Sequence, residues 1–373
     1  MFSHNGKISE KQMRRMLVLT TFASGIFVIP YLSARMFGNS VVTGLFFFLL
    51  FAILYATVLV GIGRNDKENE REIPAWFRVI QLIRQIVRLA FYIVLSIRIL
   101  QEAQVPFMQE NAVGTLRNLM VILPLLVVAI YGADYASTRP RRGETDQSLK
   151  TEVYLGIEKQ GRICEMLFPV LFIPFLVMLV FGLGEVDPSI FIPHLDMPVD
   201  RLAFCAYGML TFLQPLENYR YLNANLRGRK GSTRRTYISL LGIIVLICIL
   251  ALLLQGIFGI HGAGQEEMLT VSIMRYIRLP FGVLERFDVL MIWFLMTGCF
   301  VLISSTLFAI GEIWNGYVQT TKRIWILSAA LLEAWILVMY LPDYAKTLTV
   351  FFCYGAWVDF PLSLFLQWKT AGR

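Results

Sequence analysis

Apolar residues fall along this chain in blocks of about twenty, the length a helix needs to cross a bilayer, separated by shorter polar stretches. Ten such blocks are legible, at residues 16–36, 41–62, 77–100, 119–136, 163–183, 202–222, 237–260, 289–310, 324–341 and 347–368. The spacing predicts an all-α integral membrane protein with ten transmembrane helices, numbered below as spans 1 to 10. Span 1 carries Thr20, Thr21, Ser24 and Gly25 near its middle, and Pro30 beyond them. Residues of these types let a membrane helix open where protein or a water-filled cavity satisfies the freed backbone groups. Span 6 carries its own breakers, Tyr207-Gly208 and Gln214-Pro215. Spans 1–5 and 6–10 start from opposite sides of the membrane, so the two halves are expected to form a 5+5 inverted repeat with helices 1 and 6 broken. Interrupted segments at matching positions of two halves point to a binding site of the transporter kind. The expected division is 1–183 and 184–373, two five-helix repeats within one membrane domain.

Composition agrees with this pattern. Hydrophobic residues make up 57% of the chain and charged residues 16%, against about 25% charged in soluble domains. The net charge of +8 raises the question of a nucleic-acid partner, but its distribution answers it. Of 34 Lys and Arg residues, 24 fall in stretches 1–15, 64–78, 139–162, 220–235, 322–323 and 369–373, and 8 in the alternate stretches. That bias obeys the positive-inside rule and predicts both termini in the cytoplasm. The charge reads as topology and contact with lipid headgroups, with no nucleic acid involved. The first apolar run begins at Met16 and exceeds a signal-peptide core, so it is expected to remain as span 1.

The five cysteines sit inside apolar segments and are expected to behave as small buried hydrophobes. His4, His194 and His261 show no ligand spacing, and no metal is expected. Loop 184–201 holds three prolines and is expected to pack across the outer mouth, while loop 262–288 reads as containing a short surface helix. There is no glycine-rich phosphate loop, no nucleophile set with a histidine and no carboxylate cluster in a soluble domain, so the chain does not read as an enzyme.

Three stretches resemble a known family. Gly156-Ile157-Glu158-Lys159-Gln160-Gly161-Arg162-Ile163-Cys164-Glu165-Met166-Leu167-Phe168-Pro169 resembles the approach to span 5 in the spore germination receptor B-subunit family (GerAB-type). Leu284-Glu285-Arg286-Phe287-Asp288 resembles its Leu-Glu-Arg-Leu/Phe-Asp signature before span 8, and Ile8-Ser9-Glu10-Lys11-Gln12 is similar to its opening. The resemblance implies a LeuT-like fold of the amino acid–polyamine–organocation (APC) superfamily. It implies a multi-pass protein of the spore inner membrane that senses small germinants, commonly amino acids, together with A and C receptor subunits. The same grouping contains amino-acid permeases, so an autonomous H⁺- or Na⁺-coupled permease is the alternative. A structural scaffold with no ligand response is a third reading.

An amino-acid ligand would bring a carboxylate and an ammonium. Free backbone N–H groups and a helix dipole at a break suit the carboxylate, and Ala23, Ser24, Gly25 and Ile26 are the candidates in span 1. The ammonium calls for hydroxyls and carbonyls: Thr20, Thr21, Thr211 and unwound carbonyls at Tyr207, Gly208 and Met209, with Tyr92 of span 3 facing the site. Ser304, Ser305 and Thr306 of span 8 are placed to hold a coupling cation against span 1, by likeness to sodium-coupled LeuT-like proteins. No other cofactor is expected. Ionisable groups at membrane depth usually face a partner or a cavity, and Arg88, Glu217, Glu333 and Asp359 qualify. Arg88 is expected to pair with Glu217 or Glu165 as a gate or proton-sensitive couple.

Overall fold

A computed structural model of the protein describes residues 8–65, 75–104, 146–224, 226, 232–266, 269–276, 287–315, 332 and 344–371. Span 4, all of span 9 but Leu332, and the start of the Leu284–Asp288 motif lie outside the described residues, Glu333 among them. Among the described residues the chain is helical, with short loops and one isolated bridge between Ile8 and Leu226.

Span 1 is the centre of the molecule. It forms α1 (Glu10–Phe37), opened by a capping box in which Ser9 accepts from the Gln12 N–H and the Gln12 side chain accepts from the Ser9 N–H. Every residue from 16 to 34 is buried. A helix apolar on all sides has no face to give to water, and here other helices enclose it. Gly38, at φ 52, closes it. A single 3₁₀ turn then leads into α2 (Val41–Asn65). Phe46, Leu50 and Leu54 form an exposed apolar stripe along α2, a surface fit for lipid at i, i+4, i+8 spacing.

α3 (Ala75–Gln104) and the long α4 (Asp146–Gly182) follow. Loop 184–201 is tied down across one end of the bundle as expected. Asp187 N–H donates to Gly256 O, Thr43 donates to His194 O, and Ser40 Oγ accepts the N–H groups of Asp196 and Met197. Donation from the Ser189 N–H and hydroxyl holds the exposed Asp187 carboxyl below its usual value.

Span 6 changes its winding rather than opening. It begins as α5 (Val199–Met209), tightens into nine residues of 3₁₀ helix (Leu210–Asn218), and resumes as α6 (Tyr219–Ala224). A 3₁₀ run of that length is unusual. Pro215 lies inside it and supplies no backbone donor. α7 (Ser232–Gln265) turns at Gly259, where φ is 70. α8 (Leu269–Tyr276) is the short helix expected in loop 262–288, but it is drawn inward: Leu269, Thr270, Ser272 and Ile273 are buried, and it packs on α1, α7 and α9 (Phe287–Asn315). Span 10 consists of α10 (Tyr344–Tyr354), a π-helical turn (Gly355–Asp359) and α11 (Phe360–Ala371).

The expected break in span 1 is absent: α1 is continuous through Gly25 and Pro30. The reason is local satisfaction. Pro30 cannot donate to Ile26 O, and the Thr270 hydroxyl donates to that carbonyl instead at 2.6 Å. Tyr344 donates to Phe27 O, while Ser33 and Gln255 donate to Pro30 O. The one carbonyl that Pro30 frees is met by Thr270 of α8, while side chains of α7 and α10 bond its neighbours, so the helix bears its proline without unwinding.

Among the described residues, five helical stretches are long and apolar enough to cross a membrane, the first of them holding both α1 and α2, and a shorter apolar helix covers Thr297–Gly311. Of the cysteines, Cys164, Cys248 and Cys299 are buried as expected. Cys205 is half-buried and Cys353 is exposed on α10.

Candidate functional site: a buried polar seam

Arg84, Arg88, Tyr92 and Ser96 recur every fourth residue of α3 and form one stripe along it. Thr211, Gln214 and Glu217 recur every third residue of the 3₁₀ segment, where side chains at i and i+3 eclipse. The tight winding therefore stacks these three along one edge. The two elements run in opposite senses: Arg84 and Arg88 meet Glu217, while Phe91 lies 6.2 Å from Phe212, ring centre to ring centre. The α3 stripe and the 3₁₀ edge thus face each other as a seam through the buried interior.

The lower half of the seam is ionic. Arg88 Nη1 is 2.7 Å from Glu217 Oε2, and Arg88 Nη2 is 2.6 Å from Asp359 Oδ2. Arg84 Nε is 2.5 Å from Asp359 Oδ1, and Arg84 Nη2 is 3.3 Å from Glu217 Oε2. The Gln214 amide also donates to Asp359, Ser363 to Glu217, and the Tyr55 hydroxyl to Glu217 at 3.1 Å. All four ionic side chains are buried. Such groups are tolerated when charges balance and lone pairs are filled, and both conditions hold. The π turn carries Asp359 into this cluster at the start of α11, and π turns recur at functional sites.

The expected Arg88–Glu217 pairing is present, with Arg84 and Asp359 completing a tetrad. Glu165 takes no part: it binds Lys11 and Arg15 at the amino-terminal end of α1. Sequence reasoning passed over Arg84, Gln214, Tyr55 and Ser363. The four-residue spacing of Arg84 and Arg88 inside an apolar block was the available signal.

The upper half of the seam is uncharged. Thr21 Oγ1, Tyr92 Oη, Thr211 Oγ1 and Gln214 Oε1 are buried with no hydrogen-bond partner among the described residues, and each residue is at most 2% exposed. Buried polar atoms are paired in the great majority of cases, so these four, like those on Glu10, Gln160 and Gln255 elsewhere, need an explanation. Ser24 ties α1 to the seam by donating to Phe212 O at 2.7 Å. The rings of Phe91, Phe212 and Phe351 pack beside it, Phe91 and Phe351 stacked at 3.4 Å.

The other expected site residues have structural partners. Thr20 donates back to Met16 O and Leu17 O. Gly25 faces α7, where an added Cβ would come within 2.7 Å of Ile247 Cδ1, and Ile26 O is held by Thr270. Tyr207, Gly208 and Met209 are helical rather than unwound. The Leu210 N–H bonds the carbonyls of Gly208 and Tyr207, and the change of winding starts at Leu210, three residues after the expected start at Tyr207. The Tyr207 hydroxyl donates to Ala356 O. A Cβ on Gly208 would overlap the Phe352 ring, and one on Gly355 would overlap Thr211, so spans 6 and 10 interlock at two notches. Ser304 accepts from Gln160 and Ser305 from Asn218, each at 2.9 Å, while Thr306 donates to Leu302 O.

No curated protein gives a significant match to this chain. Residues 152–346, more than half of the chain, match the family of spore germination proteins, and this multi-pass membrane protein belongs to that family.

Proposed function

We propose that this chain is the ligand-sensing membrane subunit of a spore germinant receptor, binding a small germinant where α1, α3 and the 3₁₀ segment of span 6 meet. The observation that carries the proposal is the set of four unpartnered buried polar atoms on Thr21, Tyr92, Thr211 and Gln214. Leaving them unpaired costs stability, and a ligand that hydrogen-bonds them recovers it. The site joins elements that change winding, the 3₁₀ segment and the π turn, to the tetrad that clamps them to α3. A ligand shifts such an assembly by binding one arrangement better than another. In this account A- and C-type partner subunits read the shift in the spore inner membrane.

The frame that suits this reading is LeuT-like, ten spans in two inverted halves divided near residue 183, with both termini cytoplasmic. The altered winding of span 6 supports it. The halves differ in detail, since α1 and α4 run unbroken where spans 6 and 10 do not. Coupling to H⁺ or Na⁺ belongs to the permease alternative, for which the ionic tetrad offers a gate.

The test is made on the purified chain in nanodiscs, following thermal stability against a panel of amino acids, sugars and nucleosides, and in liposomes, following uptake of each hit. Stabilisation without uptake supports a sensor. Concentrative uptake would transfer the site to a permease, and a panel without any hit would remove the site.

A further inference from the structure

The chemistry of the seam narrows the class of ligand, an inference that rests on the binding site proposed above. From the charges, donors and acceptors on the page we infer that this site takes an uncharged, hydroxyl-bearing molecule with a flat or apolar face, such as a sugar or a nucleoside, rather than a zwitterionic amino acid.

Charge balance is the first ground. Two arginines and two carboxylates lie at the site, and each carboxylate contacts both guanidinium groups. The tetrad is neutral and spends its charges internally, so it offers no counter-ion to a ligand carboxylate or ammonium. An ion brought into a buried site without a partner loses its hydration uncompensated.

Backbone geometry is the second ground. A carboxylate is commonly held by free N–H groups where a helix begins. Here Ala23 to Ile26 lie inside continuous α1, and the Leu210 N–H is already bonded to Tyr207 O and Gly208 O. Ile26 O, the carbonyl that Pro30 frees, is occupied by Thr270. Among the described residues of the seam, the charged ends of an amino acid therefore find neither a free side-chain charge nor a helix-terminal dipole.

Among the described residues, what remains unpaired in the seam is uncharged. Three hydroxyls, on Thr21, Tyr92 and Thr211, each donate and accept, and Gln214 Oε1 accepts. That set complements ligand hydroxyls and amide or imino N–H groups. The rings of Phe91, Phe212 and Phe351 supply the apolar wall on which a sugar face or a base packs.

The experiment uses the full chain in nanodiscs and three probes at matched concentrations: D-glucose, inosine and L-alanine. Melting temperature and calorimetric affinity are read on wild type, Tyr92→Phe and Thr211→Val. The expected result is stabilisation by glucose or inosine and none by alanine. Each variant should bind about tenfold more weakly, the equivalent of one neutral hydrogen bond. Whether glucose or inosine is the hit separates the sugar from the nucleoside. Stabilisation by alanine alone, lost in Thr211→Val, would overturn the ligand class and leave the binding site standing. No stabilisation by any probe, or stabilisation unchanged in both variants, would overturn the site itself and the ligand class with it.

Discussion

Asp359 has no exposed surface, and its carboxylate receives both arginines of α3 and the Gln214 amide. Asp359→Asn keeps the shape and leaves two guanidinium groups sharing one carboxylate. Breaking a buried ion pair from one side costs about 3–5 kcal/mol, and denaturant unfolding in detergent should show a loss of that size. Tyr55→Phe removes one donor from Glu217, which keeps three others, and should cost about 1 kcal/mol. Pairing Arg88→Met with Glu217→Leu should cost less than the two single changes summed, because the double variant leaves no uncompensated charge on that pair. Full additivity would show that the two residues do not act as a couple. Parts of this cluster were legible in the sequence: Arg88, Glu217 and Asp359 stand out as charges inside apolar blocks. Arg84 was equally visible, since it and Arg88 are the two basic residues inside span 3 that the topology count sets aside. No local signal tied Asp359 to α3, because that contact spans 275 positions of chain.

At the scale of elements, Pro30 and Thr270 give the sharpest contrast between sequence and structure. The breakers of span 1 were readable, and their consequence was not. Whether a proline opens a helix depends on what reaches the freed carbonyl, and here the donor comes from residue 270, 244 positions away. Thr270→Val should cost about 1–3 kcal/mol, the range for stranding a buried acceptor. In a Pro30→Ala background the restored N–H bonds Ile26 O, and the same Thr270→Val change should then cost far less. Equal losses in the two backgrounds would detach Thr270 from the proline. Span 6 was better predicted, since Pro215 marks a real change of winding. Its outcome, a 3₁₀ run that aligns Thr211, Gln214 and Glu217, depends on packing against α1 and span 10. The notches add a further check: Gly208→Ala should destabilise by about 1–3 kcal/mol as an overpacked contact, and Phe352→Leu should recover part of that loss.

At the scale of the whole molecule, the apolar blocks and the family were legible because each rests on local pattern: block length for the spans, short motifs for the kinship. The end-to-end burial of residues 16–34 also follows from a block with no polar face. The inverted 5+5 frame rests on pattern and resemblance, and it makes a topological prediction. An epitope tag after Arg373 should be reached by antibody only once cells are permeabilised, whereas a tag after Gln265 should be reached in intact protoplasts. The reverse pattern would invert the orientation and the assignment of the loops.

The central claim is that the orphan polar atoms of the seam exist for a ligand, and it is tested most directly by stability and binding measured on the same variants. Thr21→Val, Tyr92→Phe and Thr211→Val each delete an unpaired hydroxyl with little change of shape. A buried polar group held for binding burdens the free protein, so ligand-free melting temperatures should stay level or rise while affinity for the stabilising ligand falls. Lower melting temperatures with affinity unchanged would contradict the account and make the seam a structural contact.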